Sequence, residues 1–190
     1  MKRRLLAFFE DVDASLRDEA AGETLAIYHI GRSALVWKYE YVATTQDVDI
    51  LRPIGGERLL QLALGRFGRD TPKARTHGLY LEVVERSLPP VAPSYQKRAV
   101  LVAAPWHVLR LYHLDPHDLA VTKLRRFSPK DREDIRMLCD LDELDPERLE
   151  AILETAFYYN LEKDGDEFRD AAFRSLGIVQ QYLRGDIDEF

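Results

Sequence analysis

Two acids stand two residues apart in Asp47-Val48-Asp49, and a strand is predicted around them over residues 48 to 51, closed by Pro53. Alternate side chains of a strand share a face, so Asp47 and Asp49 point one way while Val48 and Ile50 point the other. Two carboxylates on one face repel unless a cation joins them. Mg2+ takes oxygen ligands and typically keeps one or two protein carboxylates plus the phosphates of its substrate, which suits this pair. Glu82, whose neighbours Leu81 and Val83 face away from it on another predicted strand, is the candidate third carboxylate, and Glu85 falls on the opposite face. Three such groups around metal ions activate an acceptor hydroxyl and neutralise the charge developing on a transferred phosphate. Upstream, the turn Gly31-Arg32-Ser33 offers backbone N–H groups of a helix N-terminus to phosphate oxygens. Plainer readings stay open: a solvated strand end for the two aspartates, a positive-φ turn for Gly31 and an N-cap for Ser33.

The elements that must position these groups follow from pattern. Residues 2 to 19 read as an amphipathic helix with Leu5, Phe8, Phe9, Val12 and Leu16 at helical spacing and acids on the opposite face. A strand is expected over residues 24 to 30, a short helix over 34 to 39, and a helix from about Glu57 to Phe67 after Gly55-Gly56. The alternation of Leu79, Leu81 and Val83 against Tyr80, Glu82 and Val84 predicts a strand over residues 78 to 86, and residues 99 to 103 and 108 to 113 predict two more. Beyond Asp115 the pattern turns helical. Asp115-Pro116, Ser128-Pro129 and Asp145-Pro146 are N-cap and first-turn pairs, and a last helix is expected from about Asp166 to Leu183. The fold class expected is α+β: a mixed sheet of about five strands flanked by helices over about residues 20 to 114, then a C-terminal helical bundle over about 115 to 190, all in a single domain spanning 1 to 190.

Composition narrows the class of function. With 46% apolar and 32% charged residues the chain has ordinary globular proportions, and no apolar run approaches the roughly 20 residues of a membrane span. Glu10, Asp11 and Asp13 interrupt the apolar stretch after the basic N-terminus, which separates it from a signal peptide. Cys139 is the single cysteine, so an internal disulfide is impossible and a cytoplasmic location is expected. The net charge of -6 gives no broad nucleic-acid footprint, so a nucleic-acid acceptor would need a local basic patch. His77, His107, His113 and His117 show no zinc spacing on a common helix, and Phe157, Tyr158 and Tyr159 read as packing residues.

The stretch from Ile30-Gly31-Arg32-Ser33-Ala34-Leu35 to Thr45-Gln46-Asp47-Val48-Asp49-Ile50 resembles the signature of the polymerase-beta-like nucleotidyltransferase superfamily. Asp118-Leu119-Ala120-Val121-Thr122-Lys123-Leu124 and Lys130-Asp131-Arg132-Glu133-Asp134-Ile135 resemble the lysine and lysine-aspartate motifs of its abortive-infection and toxin-antitoxin branch, a pattern shared by small bacterial proteins of unknown function. Read without the resemblance, the second stretch is a charge run at a helix start. The resemblance covers roughly residues 24 to 140, and the joint order of motifs is more specific than any one of them. It implies a Mg2+- or Mn2+-dependent transfer of a nucleoside monophosphate from an NTP to an RNA or protein hydroxyl. Gly31, Arg32 and Ser33 would then meet phosphate, Asp47, Asp49 and Glu82 would hold metal, and Lys123 with Asp131 or Asp134 would complete the nucleotide pocket. Arg32 stands where many relatives have a second glycine or the serine, Glu82 replaces the more usual aspartate, and no basic residue precedes Thr45. These departures support an alternative: a domain without turnover that serves as a binding or regulatory partner of a cognate protein in a toxin-antitoxin or defence pair.

Overall fold

Helix α1 (Lys2–Leu16) forms where Leu5, Phe8, Phe9, Val12 and Leu16 line up on one side, and all five are fully buried. The computed structural model describes residues 1–41, 43–85, 89–158 and 166–190. Its contacts group into two compact units, residues 1–84 with 99–113 and residues 85–98 with 114–190. Arg86 and Tyr159, included above in a predicted strand and a predicted aromatic cluster, lie outside the described residues.

In the first unit, α1 continues through a single 3-10 turn (Arg17–Glu19) to β1 (Leu25–His29), α2 (Gly31–Tyr39) and β2 (Asp47–Leu51). Then come α3 (Glu57–Phe67), the short α4 (Pro72–His77), which the pattern did not predict, and β3 (Tyr80–Val84). Thr71 caps α4 through its side chain, with Pro72 in the first turn and Gly78 at φ +61 closing it. The unit ends with β4 (Val100–Leu101) and β5 (Leu109–His113). Among the described residues the sheet has five strands in the order β3-β2-β1-β5-β4. It is mixed: β1 runs antiparallel to β2 and parallel to β5, and β2 runs parallel to β3. One sheet face is apolar. Leu25, Ile27, Val48, Ile50, Leu81, Leu109 and Leu111 join the buried face of α1 and Leu59, Leu60, Ala63 and Phe67 of α3 in one core. Each Leu, Ile, Val or Phe side chain among them contributes about 1.5–3 kcal/mol by leaving water.

One acid of α1 departs from the expected solvent face. Asp13 is fully buried, and its Oδ1 accepts from the backbone N–H groups of His107, Val108 and Leu109 at 2.9, 2.8 and 2.9 Å. A carboxylate satisfied by several backbone donors tolerates burial that an isolated one would not.

The second unit contains the four-residue α5 (Tyr95–Arg98) and the helices α6 (Pro116–Leu124), α7 (Pro129–Asp140), α8 (Pro146–Tyr158) and α9 (Asp166–Leu183). The expected caps are present. Asp115 accepts from the N–H of His117, Ser128 and Asp131 form a reciprocal capping box, and Asp145 accepts from the N–H of Arg148 at 2.7 Å. Helix α6 is the centre of this unit, buried along almost its whole length and packed by α7, α8 and α9. No helix among the described residues is long and apolar enough to cross a membrane.

Candidate active site

The register of β2 against β3 builds a square of polar side chains. Asp47 lies opposite Tyr80 and Asp49 opposite Glu82, and the period of two puts all four on one face, away from the core side chains Val48, Ile50 and Leu81. The three carboxylates expected to act together therefore come from adjacent strands on one side of the sheet. All three are partly exposed, whereas Glu85 is exposed beyond the strand.

The turn after β1 enters this square at Asp49. The backbone N–H of Ile30 donates to the carbonyl of Asp49 at 2.9 Å, and Gly31 follows with φ +70. A Cβ at Gly31 would lie 2.2 Å from Oδ2 of Asp49, so only glycine lets the chain pass so near the carboxylate. Helix α2 starts here, earlier than the predicted start at Ala34, and no side chain caps it. The first N–H groups of a helix have no intrahelical partner, so the turn carries donors and a partial positive charge to the edge of the acidic square. Arg32 is partly exposed in the same turn.

Ser33 faces the interior. It is fully buried, and its Oγ lies 2.8 Å from Nε2 of His29, also fully buried. His113 is the register partner of His29 on β5, with ring centroids 5.5 Å apart. Burial, and then the neighbouring His113, hold His29 well below the usual imidazole range. Burial, with the charges of Lys38 and Lys2, pulls His113 down to about 4. Both rings are neutral at physiological pH, so this pair is a feature of the core beneath the turn.

Two residues that the sequence reading did not single out for the site join the square. The Tyr80 hydroxyl donates to Oδ1 of Asp47, and burial together with this bond pushes the phenol up to about 12. Arg69 donates from Nη2 to Oε2 of Glu82 at 3.3 Å and lays its guanidinium 4.4 Å from the centre of the Tyr80 ring. Arg69 is carried there by an isolated bridge between Gly68 and Leu81, directly after α3. Gly68 makes this exit possible, since a Cβ there would meet the Leu64 carbonyl at 2.5 Å. Tyr80 had a signal in the sequence, two residues before Glu82 on the same strand face. Arg69 had none, because only the bridge brings it to β3.

The donor set suits a hard cation. Asp47 and Asp49 give oxygen ligands at strand spacing, and Oδ2 of Asp49 lies against the backbone of the Gly31 turn. Among the described residues no three or more His, Cys, Asp or Glu side chains are gathered as a complete metal cage. A Mg2+ ion that also takes phosphate oxygens needs only one or two carboxylates from the protein.

Lys123, Asp131 and Asp134 come together in the second unit. Nζ of Lys123, nearly buried, donates to Oδ2 of Asp134 at 2.8 Å and lies 3.7 Å from Oδ1 of Asp131. Asp131 also takes two 2.7 Å bonds from Arg126 and one of 2.7 Å from the Ser128 hydroxyl. Burial alone would raise the Asp131 carboxyl, but the bonds from Arg126 and Ser128 and the Lys123 charge outweigh it and hold it below its ordinary value. The lysine and lysine-aspartate motifs are thus one buried ion network joining α6 to α7.

The profile of a protein family described as a nucleotidyltransferase of unknown function (DUF6036) matches residues 3–176. No curated protein and no solved structure matches the chain.

Proposed function

The chain belongs to that family of nucleotidyltransferases of unknown function, and from this premise we propose that it moves a nucleoside monophosphate from an NTP to a hydroxyl of RNA or protein with release of pyrophosphate. The observation that carries the reading is the placement of Asp47, Asp49 and Glu82 on one face of β2 and β3 beside the Gly31 turn. The motif order from Gly31 to Asp49 supports assignment to the polymerase-beta-like superfamily.

In this reading Asp47 and Asp49 hold a Mg2+ or Mn2+ ion, with Glu82 as the third carboxylate. The ion, when bound, neutralises charge on the phosphates and orients them. Backbone N–H groups at the start of α2, at Gly31, Arg32 and Ser33, receive phosphate oxygens. Glu82 accepts the proton of the acceptor hydroxyl as its oxygen forms the new bond to the α-phosphorus, while the bond from that phosphorus to the bridging oxygen breaks and pyrophosphate departs. On the strength of the motif resemblance alone, Lys123, Asp131 and Asp134 of the second unit are proposed as nucleotide-binding residues.

A second reading has one observation in its favour: Asp47 and Glu82 already have protein donors in Tyr80 and Arg69. In that reading the chain is a nucleotidyltransferase-like partner without turnover, in a toxin-antitoxin or defence pair. The test is transfer of α-labelled NTP, each base in turn, to the RNA and protein of a cell extract, comparing wild type with the Asp47→Ala/Asp49→Ala double variant. Label that requires Mg2+ and both aspartates supports the transferase and identifies its acceptor. Equal background from both proteins with every base favours the binding partner.

A further inference from the structure

We propose that Arg69 and Tyr80 form a counter-charge latch on the acidic square, which a divalent cation displaces and which then delivers Arg69 to the phosphates of the incoming nucleotide. The proposal rests on the transferase reading above and deepens it by naming a phosphate-contacting residue outside the family motifs.

Three contacts carry it. The Tyr80 hydroxyl donates to Asp47, Arg69 donates to Glu82 at 3.3 Å, and the guanidinium lies 4.4 Å from the centre of the Tyr80 ring. Asp47 thereby has a hydrogen-bond donor and Glu82 a counter-charge from the protein itself, which relieves the repulsion that closely spaced acids suffer without a cation. A divalent ion seated on these acids competes directly with Arg69 for Glu82, because both are positive and both require its oxygens. The Arg69 side chain is 63% exposed and the Glu82 side chain 45%, so the contact is a weak surface ion pair that an ion of higher charge readily replaces. Once released, the guanidinium stays near the square because Gly68 is pinned to Leu81 and the Tyr80 ring lies beneath it. A planar fork of N–H donors held next to bound metal matches the oxygens of a triphosphate.

The latch makes two substitutions act differently. Arg69→Gln removes both the competitor and the phosphate donor. Tyr80→Phe frees an oxygen of Asp47 but keeps the ring under Arg69. The experiment measures Mn2+ binding without nucleotide by electron paramagnetic resonance of the free ion, then binding of ATP, CTP, GTP and UTP in turn at saturating Mn2+ by calorimetry. Both variants are expected to bind Mn2+ more tightly than wild type, Arg69→Gln by roughly two- to fivefold, the range of an exposed ion pair. Arg69→Gln is expected to lose about tenfold or more in affinity for the preferred NTP, the scale of a charge-assisted hydrogen bond, while Tyr80→Phe keeps wild-type NTP affinity.

A residue with only a structural role would move both affinities in one direction. Such parallel loss, or no change in either, overturns the latch while leaving the transferase reading intact, provided wild type binds Mn2+ and Asp49→Asn abolishes that binding. If wild type binds no Mn2+, or Asp49→Asn binds it equally, the transferase reading fails and the latch with it.

Discussion

The Cβ that Gly31 lacks would stand 2.2 Å from Oδ2 of Asp49, so the turn after β1 and the carboxylate on β2 leave no room between them for a side chain. Gly31→Ala must move Asp49 or the turn, and it also puts an L side chain at φ +70. It is expected to cost at least about 1–2 kcal/mol in urea unfolding and to abolish Mn2+-dependent nucleotide binding. Near-native stability with unchanged nucleotide affinity would show that the close approach has no bearing on the site.

Lys123 offers a test of structure against ligand contact. Its ammonium is nearly buried against Asp134 and Asp131, and removing one partner of such a pair strands the other charge. Lys123→Met is expected to lose about 3–5 kcal/mol in denaturant unfolding, and adding Asp134→Leu to recover much of that loss. If stability returns in the double variant while NTP affinity does not, the lysine acts on the nucleotide as well as on the helices. If both return together, its role is confined to the ion network.

Acid should weaken the fold through the histidines beneath the turn. In the unfolded chain His29 and His113 protonate near 6.5, whereas in the folded chain His113 does so only at about 4 and His29 is held well below its ordinary value. The unfolded state therefore binds more protons between these values, so stability is full above about pH 6.5 and falls as pH drops towards about 4. His113 alone accounts for a loss on the order of 3 kcal/mol across that window. Urea midpoints measured from pH 7 to 4 should fall in wild type and fall less in His113→Leu. An identical slope in both proteins would contradict the assignment.

Asp13 is expected to be as sensitive as any core residue although it is charged. Asp13→Ala leaves three backbone N–H groups without their acceptor and should cost about 3 kcal/mol or more by thermal or urea unfolding. Asp13→Asn keeps one carbonyl oxygen and should cost less. Equal losses in the two variants would mean that the hydrogen bonds contribute little.

How much of this was legible depended on the range of the interaction. The strand around Asp47 and Asp49, the turn at Gly31 and the helix starts at Asp115, Ser128 and Asp145 are written in neighbouring residues, because caps and strand alternation act over a few positions. The pairing of Asp47 with Tyr80 and of Asp49 with Glu82 needs the parallel register of β2 and β3, which depends on how the chain between them folds. Without the resemblance, Asp131 and Asp134 read as part of a solvated charge run, since Lys123 stands eleven residues before Asp134 and meets it only when α6 packs on α7. Asp13 read as part of a polar helix face for the same reason: its partners lie 94 to 96 positions away.

That separation bears on how the chain is made. Helix α1 carries a carboxylate whose backbone donors are synthesised more than ninety residues later, and β5, the parallel neighbour of β1 inside the sheet, arrives in the same stretch. Until residues 107–113 emerge, Asp13 must stay hydrated and β1 lacks one of its two neighbours, so the nascent first unit exposes an unpaired strand to solvent and to chaperones. However early α1 forms as a helix, the unit cannot close before this stretch is available.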